Sequence, residues 1–188
     1  MAFTNKQKNE WTISLLQLQK TDNVLEISFG PGVSTKSVAN IITDGYYVGI
    51  DYSDVMLQQA KKRNLNGIKE GRIHLICADV NHMPKLDQMF DKAFAINSVI
   101  FWADPVTSLK GIRQVLKPNG VIALTVLPYE KNATEETTME LGRKIRHYLE
   151  RAGFCNIRIE RKEMKPAPAV CVLGYNGLNS KIEISKKK

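Results

Sequence analysis

The residues with the clearest potential for ligand binding are two glycines and two aspartates, each placed directly after a predicted strand. Gly30 and Gly32 flank Pro31 after the short, largely apolar segment 24–29. A turn with two glycines lets the backbone approach a ligand closely, and the helix that begins near Ser34 supplies unpaired N–H groups. A strand, a glycine turn and a helix in this order are typical of nucleotide-like ligand sites in open α/β sheets. The same turn also occurs without a ligand, so its meaning depends on the residues that follow.

Asp51 and Asp79 stand at the carboxyl ends of the second and third predicted strands. Asp51 comes about 20 residues after the glycine turn, where a doubly wound fold places the carboxylate that accepts hydrogen bonds from a ribose diol. Capping of the next helix is the alternative role, but Ser53 and Asp54 already serve as caps. The spacing therefore favours ligand binding by Asp51.

The order of the elements predicts an α/β fold that positions these residues. An amphipathic helix within residues 1–20 would cover one edge of the sheet or wall a ligand site. Strands and helices then alternate strictly, which indicates a parallel sheet with helices on both faces. Two successive strands close the chain, and their short link predicts an antiparallel last strand. The predicted strands are 24–27, 46–50, 73–79, 92–99, 121–127, 156–163 and 169–174, with helices at 5–18, 34–42, 105–116 and 134–152 and another after Ser53.

The composition is that of a globular protein, with 43% hydrophobic and 24% charged residues among 188. We expect one domain, residues 1–188. No apolar run approaches the roughly 20 residues that cross a membrane, and the first residues lack the apolar segment of a signal peptide. We therefore expect a cytoplasmic protein without membrane contact.

Cys77, Cys155 and Cys171 lie in separate strand-like runs, so we expect them to be buried and reduced, and no metal site is predicted.

The formal net charge of +8 raises nucleic acid as a partner. Part of the excess lies in the basic tail 181–188, which we expect to be disordered. The remaining lysines and arginines are spread over predicted helix faces. The charge therefore permits nucleic-acid binding without favouring it.

Four segments resemble the motifs of class I S-adenosylmethionine-dependent methyltransferases, in particular the small single-domain members of types 11 and 25. Residues 24–32 resemble V-L-E-I-G-x-G-x-G with Ser28 at the first glycine, and 49–57 are similar to G-x-D-x-S-x-x-M-L. Residues 78–80 match the A-D-hydrophobic step, and 114–120 resemble R-V-L-K-P-G-G. The likeness covers nearly the whole chain. It implies a Rossmann-like seven-stranded sheet of order 3-2-1-4-5-7-6 with the last strand antiparallel.

The resemblance implies S-adenosylmethionine as the cofactor and a role for each motif residue. Gly30 and Gly32 would let the backbone approach the methionine part, and Glu26 would brace the loop or meet the cofactor's amino group. Asp51 would hold the ribose hydroxyls, and Asp79 would accept from the adenine amino group. The Val80 backbone would meet the adenine ring, and the Asn97 carbonyl would meet the methionine end. Ser28 and Tyr52 complete the predicted cofactor-binding set.

Methyl transfer requires chiefly that the acceptor be aligned with the methyl group. A weak acceptor, such as a phenol or a carbon acid, would also need a general base. His82 and Tyr129 are the candidates, because they lie on loops after the third and fifth strands. His82 suits the role better because the ordinary pKa of histidine is near neutral, although loop histidines are more often merely solvated. Phe101 and Trp102 would line the acceptor pocket or pack beneath a helix.

The acceptor predicted from the sequence is a small metabolite. The link between the fifth strand and the last long helix is too short for a lid, so the site is open, and a second copy of the chain in a homodimer could close it. The Asn97-Ser98-Val99-Ile100 segment lacks the Asn/Asp-Pro-Pro-aromatic loop of the base-amino methyltransferases, which argues against DNA methylation. An RNA methyltransferase and a catalytically silent S-adenosylmethionine-binding protein remain alternatives. A nicotinamide-dependent oxidoreductase is disfavoured because the glycine turn misses G-x-G-x-x-G.

Overall fold

The structure, a computed structural model, describes residues 2–128, 130, 132–165 and 167–177. Its helices are α1 (Ala2–Leu16), α2 (Val33–Ala39), α3 (Asp54–Arg63), α4 (Leu65–Lys69), α5 (Pro105–Val115) and α6 (Glu135–Arg151). Its strands are β1 (Val24–Ile27), β2 (Tyr47–Asp51), β3 (Ile73–Cys77), β4 (Phe90–Ile96), β5 (Leu116–Val126), β6 (Cys155–Lys162) and β7 (Ala169–Tyr175). In this part of the chain no helix has the length and apolar character needed to cross a membrane. The predicted basic tail 181–188 lies outside the described residues.

The strands form one mixed sheet in the order β3-β2-β1-β4-β5-β7-β6. Strands β1 to β5 pair in parallel, whereas β7 pairs antiparallel with both β5 and β6. The predicted strand order and the antiparallel last strand are thus confirmed. Every residue of β1 and β2 is buried, which is typical of central parallel strands that are covered on both faces.

Helices pack on both faces of the sheet, as the alternation of elements predicts. On one face, α1 and α2 contribute Trp11, Leu16 and Val38 to the core. On the other face, α5 and α6 contribute Leu109 and Leu149. Removal of this apolar surface from water, worth about 25 cal/mol per Å², is the main favourable contribution to folding.

Helix α1 lies over the middle of the sheet. It contacts β4 and β5, which are interior strands, so of the two roles predicted for it, covering an edge is not the one observed. Trp11 and Leu16 are buried against the sheet, and the Thr12 hydroxyl lies 2.7 Å from the Thr125 hydroxyl on β5. This docking brings the first half of α1 to the carboxyl ends of β1 and β4, where it walls a cavity.

Two helix caps predicted from the sequence are formed. The Asp104 side chain accepts from the Thr107 N–H at 3.0 Å, with Pro105 at the first position of α5. The Ser53 hydroxyl accepts from the Met56 N–H at 3.3 Å at the start of α3. These caps satisfy backbone donors that have no partner within the helices.

The segment 117–120 is the main departure from the predicted element boundaries. The sequence predicts a turn here, but β5 begins at Leu116 and continues through the segment. The register with β4 slips between Phe90 and Lys92, and Asn119 has a φ of 63°. The segment is therefore a bulge within the strand, because the flanking residues keep their pairing with β4.

Two other predictions fail for local reasons. Cys77 is exposed, whereas Cys155 and Cys171 are buried as predicted. Cys77 ends β3, which lies at the edge of the sheet and is only partly covered. Helix α4 has no predicted counterpart because Asn66 and Gly67 weaken its helical signal.

Candidate active site

Two cavities open at the carboxyl ends of the parallel strands, and Ser28 lines both of them. The first, which we call the Asp51 cavity, has a volume of about 210 Å³ and is lined in part by Asp51, Asp79 and Trp102. The second, which we call the Lys8 cavity, has a volume of about 500 Å³ and is lined in part by Lys8. The carboxyl ends of the strands are where open α/β sheets bind ligands.

Most of the residues predicted to bind the cofactor line one of these cavities. The Asp51 cavity contains Ser28, Asp51, Tyr52, Asp79 and Val80 from that set. The Lys8 cavity contains Glu26, Ser28, Gly30 and Asn97. Among the lining residues that the structure describes, Gly32 is absent from both cavities.

The glycine turn has left-handed backbone at Ser28, Gly30 and Gly32, with φ values of 61°, 55° and 75°. Glycine adopts this conformation freely, whereas a residue with a side chain pays about 1–2 kcal/mol. Ser28 accepts that strain, and its N–H donates to the Ile50 carbonyl at 2.6 Å. A strained residue held in place by the neighbouring strand is typical of functional sites.

Gly32 serves the packing of α3 against the turn. A Cβ at this position would lie 2.6 Å from Asn64 Nδ2 and 2.7 Å from the Cβ of Ala60. The Asn64 side chain also donates to the Gly32 carbonyl at 3.0 Å. The structure therefore requires glycine here for the close approach of α3.

Asp51 joins β2 to the glycine turn through both of its carboxylate oxygens. The side chain is largely buried, at 6% exposure. Oδ2 accepts from the Gly30 N–H at 2.8 Å, and Oδ1 accepts from the Ser53 N–H at 2.9 Å. Each oxygen keeps further acceptor capacity, so the carboxylate can brace the turn and still accept from a ligand in the cavity.

Glu26 is a fully buried carboxyl group beneath the glycine turn. The Ser34 hydroxyl donates to Oε1 at 2.5 Å, and the Tyr47 hydroxyl donates to Oε2. Burial raises the pKa of Glu26 to about 8, although the hydroxyl groups partly oppose that rise. The group is therefore mainly protonated at neutral pH.

Asp79 and His82 lie together at the outer side of the Asp51 cavity. Asp79 Oδ1 accepts from the Asn81 N–H at 2.9 Å and from its side-chain amide at 2.7 Å. The hydrogen bond from the Asn81 backbone is the main cause that lowers the Asp79 pKa. His82 Nδ1 lies 3.6 Å from Asp79 Oδ2, and the ring is 88% exposed. His82 is not among the described residues that line the Lys8 cavity. Its role as a general base stays a prediction.

Asn97 and Ser98 follow β4 at the junction of the two cavities. Asn97 has a φ of 56°, and its side chain accepts from the Leu127 N–H at 2.8 Å. The side chain thus ties the end of β4 to the end of β5. Ser98 Oγ is buried and, like Trp102 Nε1, has no hydrogen-bond partner among the described residues. Both belong to residues that line the Asp51 cavity.

Phe101 and Trp102 lie on the Asp51 cavity. Neither is among the described residues that line the Lys8 cavity, and their predicted role in lining the acceptor pocket stays a prediction. Tyr129, the other predicted base, lies outside the described residues.

Lys8 is the main site residue that sequence reasoning missed. Its side chain is 3% exposed and lines the Lys8 cavity together with Asn9. A signal was present, since Lys8 precedes Trp11 by three residues and Thr12 by four, which places it on the buried face of the helix. Asn81, which holds Asp79, was also missed, because its role depends on the loop conformation.

The described residues contain no cluster of three or more His, Cys, Asp or Glu side chains that could hold a metal ion. The site is thus built from carboxyl groups, a lysine and a strained backbone turn. Such a site can bind a polar, charged ligand of the size of a nucleoside conjugate across the two cavities and leave space for a second molecule.

Comparisons with known proteins identify the family of this chain. The family described as "Methyltransferase domain" matches residues 25–124. The uncharacterized methyltransferase YdaC of Bacillus subtilis is 34% identical over 171 residues, which cover 91% of this chain and 92% of that protein. The malonyl-[acyl-carrier protein] O-methyltransferase of Legionella pneumophila is 32% identical over 105 residues, which cover 55% of this chain and 36% of that protein.

The fold is similar to that of a solved SAM-dependent methyltransferase from Aquifex aeolicus. The TM-score is 0.69 at 20% identity, with 89% of this chain and 88% of that chain covered. Fungal O-methyltransferases also match in sequence, but the chain spans less than half of their length.

Proposed function

This chain belongs to the class I S-adenosylmethionine-dependent methyltransferases, and on that basis we propose that it methylates a small-molecule acceptor in the Lys8 cavity. The observation that carries the proposal is the pair of cavities that meet at Ser28. One has the carboxylates expected for an adenosine group. The other is larger and extends from the glycine turn to α1.

The residues of the Asp51 cavity support a fit to the adenosine half of the cofactor. Asp51 has acceptor capacity for the ribose hydroxyls, and Asp79 has capacity for the adenine amino group. Ser98 Oγ and Trp102 Nε1 are buried polar atoms that lack a partner in the described structure. An unsatisfied buried polar group costs about 1–3 kcal/mol, so a polar ligand that reaches these atoms would be stabilised.

The residues of the Lys8 cavity position the reacting groups. When bound, S-adenosylmethionine supplies an electrophilic methyl group on a sulfonium sulfur. Gly30 and Asn97 form part of one wall, and Lys8 and Asn9 of α1 form another. These walls orient the acceptor and reduce its contact with water, which is the protein's main contribution to such a displacement.

The size of the Lys8 cavity supports a small acceptor. Its volume of about 500 Å³ lies within the range of roughly 300–1,000 Å³ that is typical of small-molecule sites. Relatives that match the chain are named as O-methyltransferases, so an oxygen atom of the acceptor is the first one to test. A carboxylate acceptor would need no general base, whereas a phenol would need one.

RNA is the second candidate acceptor, because the chain has a basic groove of about 550 Å³. The groove is lined in part by Lys36, Lys62, Arg63 and Arg72. Arg63 donates to the Pro31 carbonyl and Arg72 to the Ala39 carbonyl, so part of the donor capacity is already used. None of the described lining residues belongs to either of the two cavities, and this separation favours the small molecule.

The test is a transfer assay with S-adenosylmethionine labelled on the methyl group. The purified protein is incubated with pools of hydroxylated and carboxylated metabolites and, separately, with total RNA. We expect label in a metabolite pool and none in RNA. Label in RNA alone would support the second candidate. No label in either, with cofactor binding intact, would identify a catalytically silent binding protein.

A further inference from the structure

The basic groove lies between α2, α3 and the segment before β3, apart from both cavities of the candidate active site. Lys36 on α2, Lys62 on α3 and Arg72 before β3 line it. A cation in the last turn of a helix is favoured by the helix dipole, which accounts for Lys36 and Lys62 one by one. The dipole does not account for the convergence of cations from three segments on one groove.

Most of the positive charge in this groove is not balanced by carboxylates. Glu70 is the carboxylate among the described lining residues, and its Oε2 lies 2.5 Å from Arg72 Nη2. Lys36, Lys62 and Arg63 form no ion pair within the part of the chain that the structure describes. Like charges in one groove repel one another. An anion that binds between these cations would therefore remove a repulsion as well as gain contacts.

Arg63 is oriented in the groove by the glycine turn. Its guanidinium donates to the Pro31 carbonyl, which leaves most of its five N–H donors for a ligand. A planar guanidinium suits a phosphate group, because two parallel N–H groups match two phosphate oxygens. A side chain whose orientation is already restrained loses less conformational freedom when a ligand binds.

We propose that the basic groove binds a small phosphorylated molecule, whose phosphate groups contact Lys36, Lys62 and Arg63. The volume of about 550 Å³ lies within the range of roughly 300–1,000 Å³ that is typical of small-molecule sites. None of the described lining residues is aromatic, and aromatic side chains are the surfaces on which the bases of single-stranded nucleic acids stack. The groove therefore fits a compact polyanion better than it fits RNA.

The groove is linked to the cofactor site through the glycine turn. Arg63 donates to the Pro31 carbonyl, and Asn64 Nδ2 donates to the Gly32 carbonyl at 3.0 Å. Gly30 and Pro31 of the same turn line the Lys8 cavity. A phosphate that immobilises Arg63 stabilises this conformation of the turn, so it should raise the affinity for the cofactor, and the cofactor should raise the affinity for the phosphate by the same factor. This link rests on the proposed function, whereas the phosphate site itself does not.

The experiment is a calorimetric titration of the full chain with inorganic tripolyphosphate at constant ionic strength. Lys36→Gln and Lys62→Gln each remove one exposed cation of the groove. The matched control is Lys61→Gln, because Lys61 is an exposed neighbour on α3 that is not among the described lining residues. We expect saturable binding by the wild type, an affinity about 10-fold lower in Lys36→Gln and in Lys62→Gln, and the wild-type affinity in Lys61→Gln.

Three results would overturn the phosphate site. Equal losses of affinity in Lys61→Gln and Lys62→Gln would show attraction by the net charge of the chain instead of a site. Titration without saturable binding would show that the groove holds no phosphate. A short single-stranded RNA that binds more tightly than tripolyphosphate, and loses affinity in Lys36→Gln and Lys62→Gln, would show that the groove is a nucleic-acid surface.

The link to the glycine turn is tested by titration of S-adenosylhomocysteine with and without tripolyphosphate. At a concentration that saturates the wild type, tripolyphosphate should raise the S-adenosylhomocysteine affinity about 5-fold or more in the wild type and in Lys61→Gln. At the same concentration the rise should be absent in the Lys36→Gln/Lys62→Gln double variant, which excludes a general effect of the salt. Unchanged or lowered affinity in the wild type would overturn the link alone. Failure of the wild type to bind S-adenosylhomocysteine under either condition would overturn the proposed function and leave the phosphate site in place.

Discussion

Asp51 is the residue on which the cofactor site depends most, because each of its oxygens serves a different backbone N–H. In Asp51→Asn the amide nitrogen would face one of the two donors, Gly30 N–H or Ser53 N–H. We expect S-adenosylhomocysteine binding to weaken by about 1–3 kcal/mol, since the amide offers the ribose hydroxyls one acceptor oxygen in place of two. Calorimetric titration measures the loss. Asp54→Asn, which removes a charge three residues further on at the start of α3, is the matched control and should bind normally. Unchanged affinity in folded Asp51→Asn would remove Asp51 from the site.

Glu26 should make the stability of the fold depend on pH. Its pKa is raised from 4.5 to about 8 in the folded state, so the folded chain holds a proton that the unfolded chain releases. The free energy of unfolding should therefore be highest below about pH 4.5 with respect to this group and decrease as the pH rises to about 8. In Glu26→Gln that decrease should be absent. Urea unfolding at a series of pH values compares the two, and equal slopes would contradict the buried, protonated state of Glu26.

Local sequence information located some site residues and not others. Asp51 and Asp79 were predictable because a carboxylate directly after a strand must lie at the carboxyl edge of a parallel sheet. Lys8 was not, because its position depends on how α1 docks on β5. The proximity of His82 to Asp79, rather than to the Lys8 cavity, likewise follows from the short 3-10 turn Val80–His82.

At the scale of elements, the glycine turn contains a matched pair of positions. Both Gly30 and Gly32 have positive φ, but a Cβ at Gly30 would meet no atom within 4 Å, whereas at Gly32 it would lie 2.9 Å from the Ala60 Cα on α3. We expect Gly30→Ala to lower the free energy of unfolding by about 1 kcal/mol through backbone strain. Gly32→Ala should lower it by about 2–4 kcal/mol, because α3 must also move.

Urea unfolding of the two variants tests this difference, and cofactor titration adds a second comparison. Gly30 lines the Lys8 cavity, so Gly30→Ala should lose affinity out of proportion to its small loss of stability. Equal losses of stability in the two variants would show that α3 does not restrict the turn.

The order of elements was predictable because apolar segments and turn residues alternate along the chain, and strict alternation allows few topologies. The bulge at 117–120 was not predictable, because the same local sequence is compatible with a turn between two elements and with a shift of the pairing register within one strand. Predicting the position of α1 over β4 and β5 would also have required tertiary information, because the sequence does not show on which strands its apolar face packs.

At the scale of the whole molecule, the site is open, and its apolar rim includes Tyr52 at 81% exposure and Phe101 at 67%. Both line the Asp51 cavity. A second copy of the chain that covers this rim stays a prediction, which light scattering of the purified protein tests directly.

The basic groove is a separate surface, so the net charge of +8 does not by itself link the catalytic site to nucleic acid.

The most direct test of the central claim is a calorimetric titration of the wild-type protein with S-adenosylhomocysteine, with NAD as the parallel ligand. The carboxylates of the Asp51 cavity predict a single site for S-adenosylhomocysteine with a dissociation constant of the order of micromolar. We expect no heat of binding for NAD, because the glycine turn lacks the G-x-G-x-x-G sequence of nicotinamide-dependent enzymes. Binding of NAD alone, or of neither compound, would contradict the assignment of these cavities to S-adenosylmethionine.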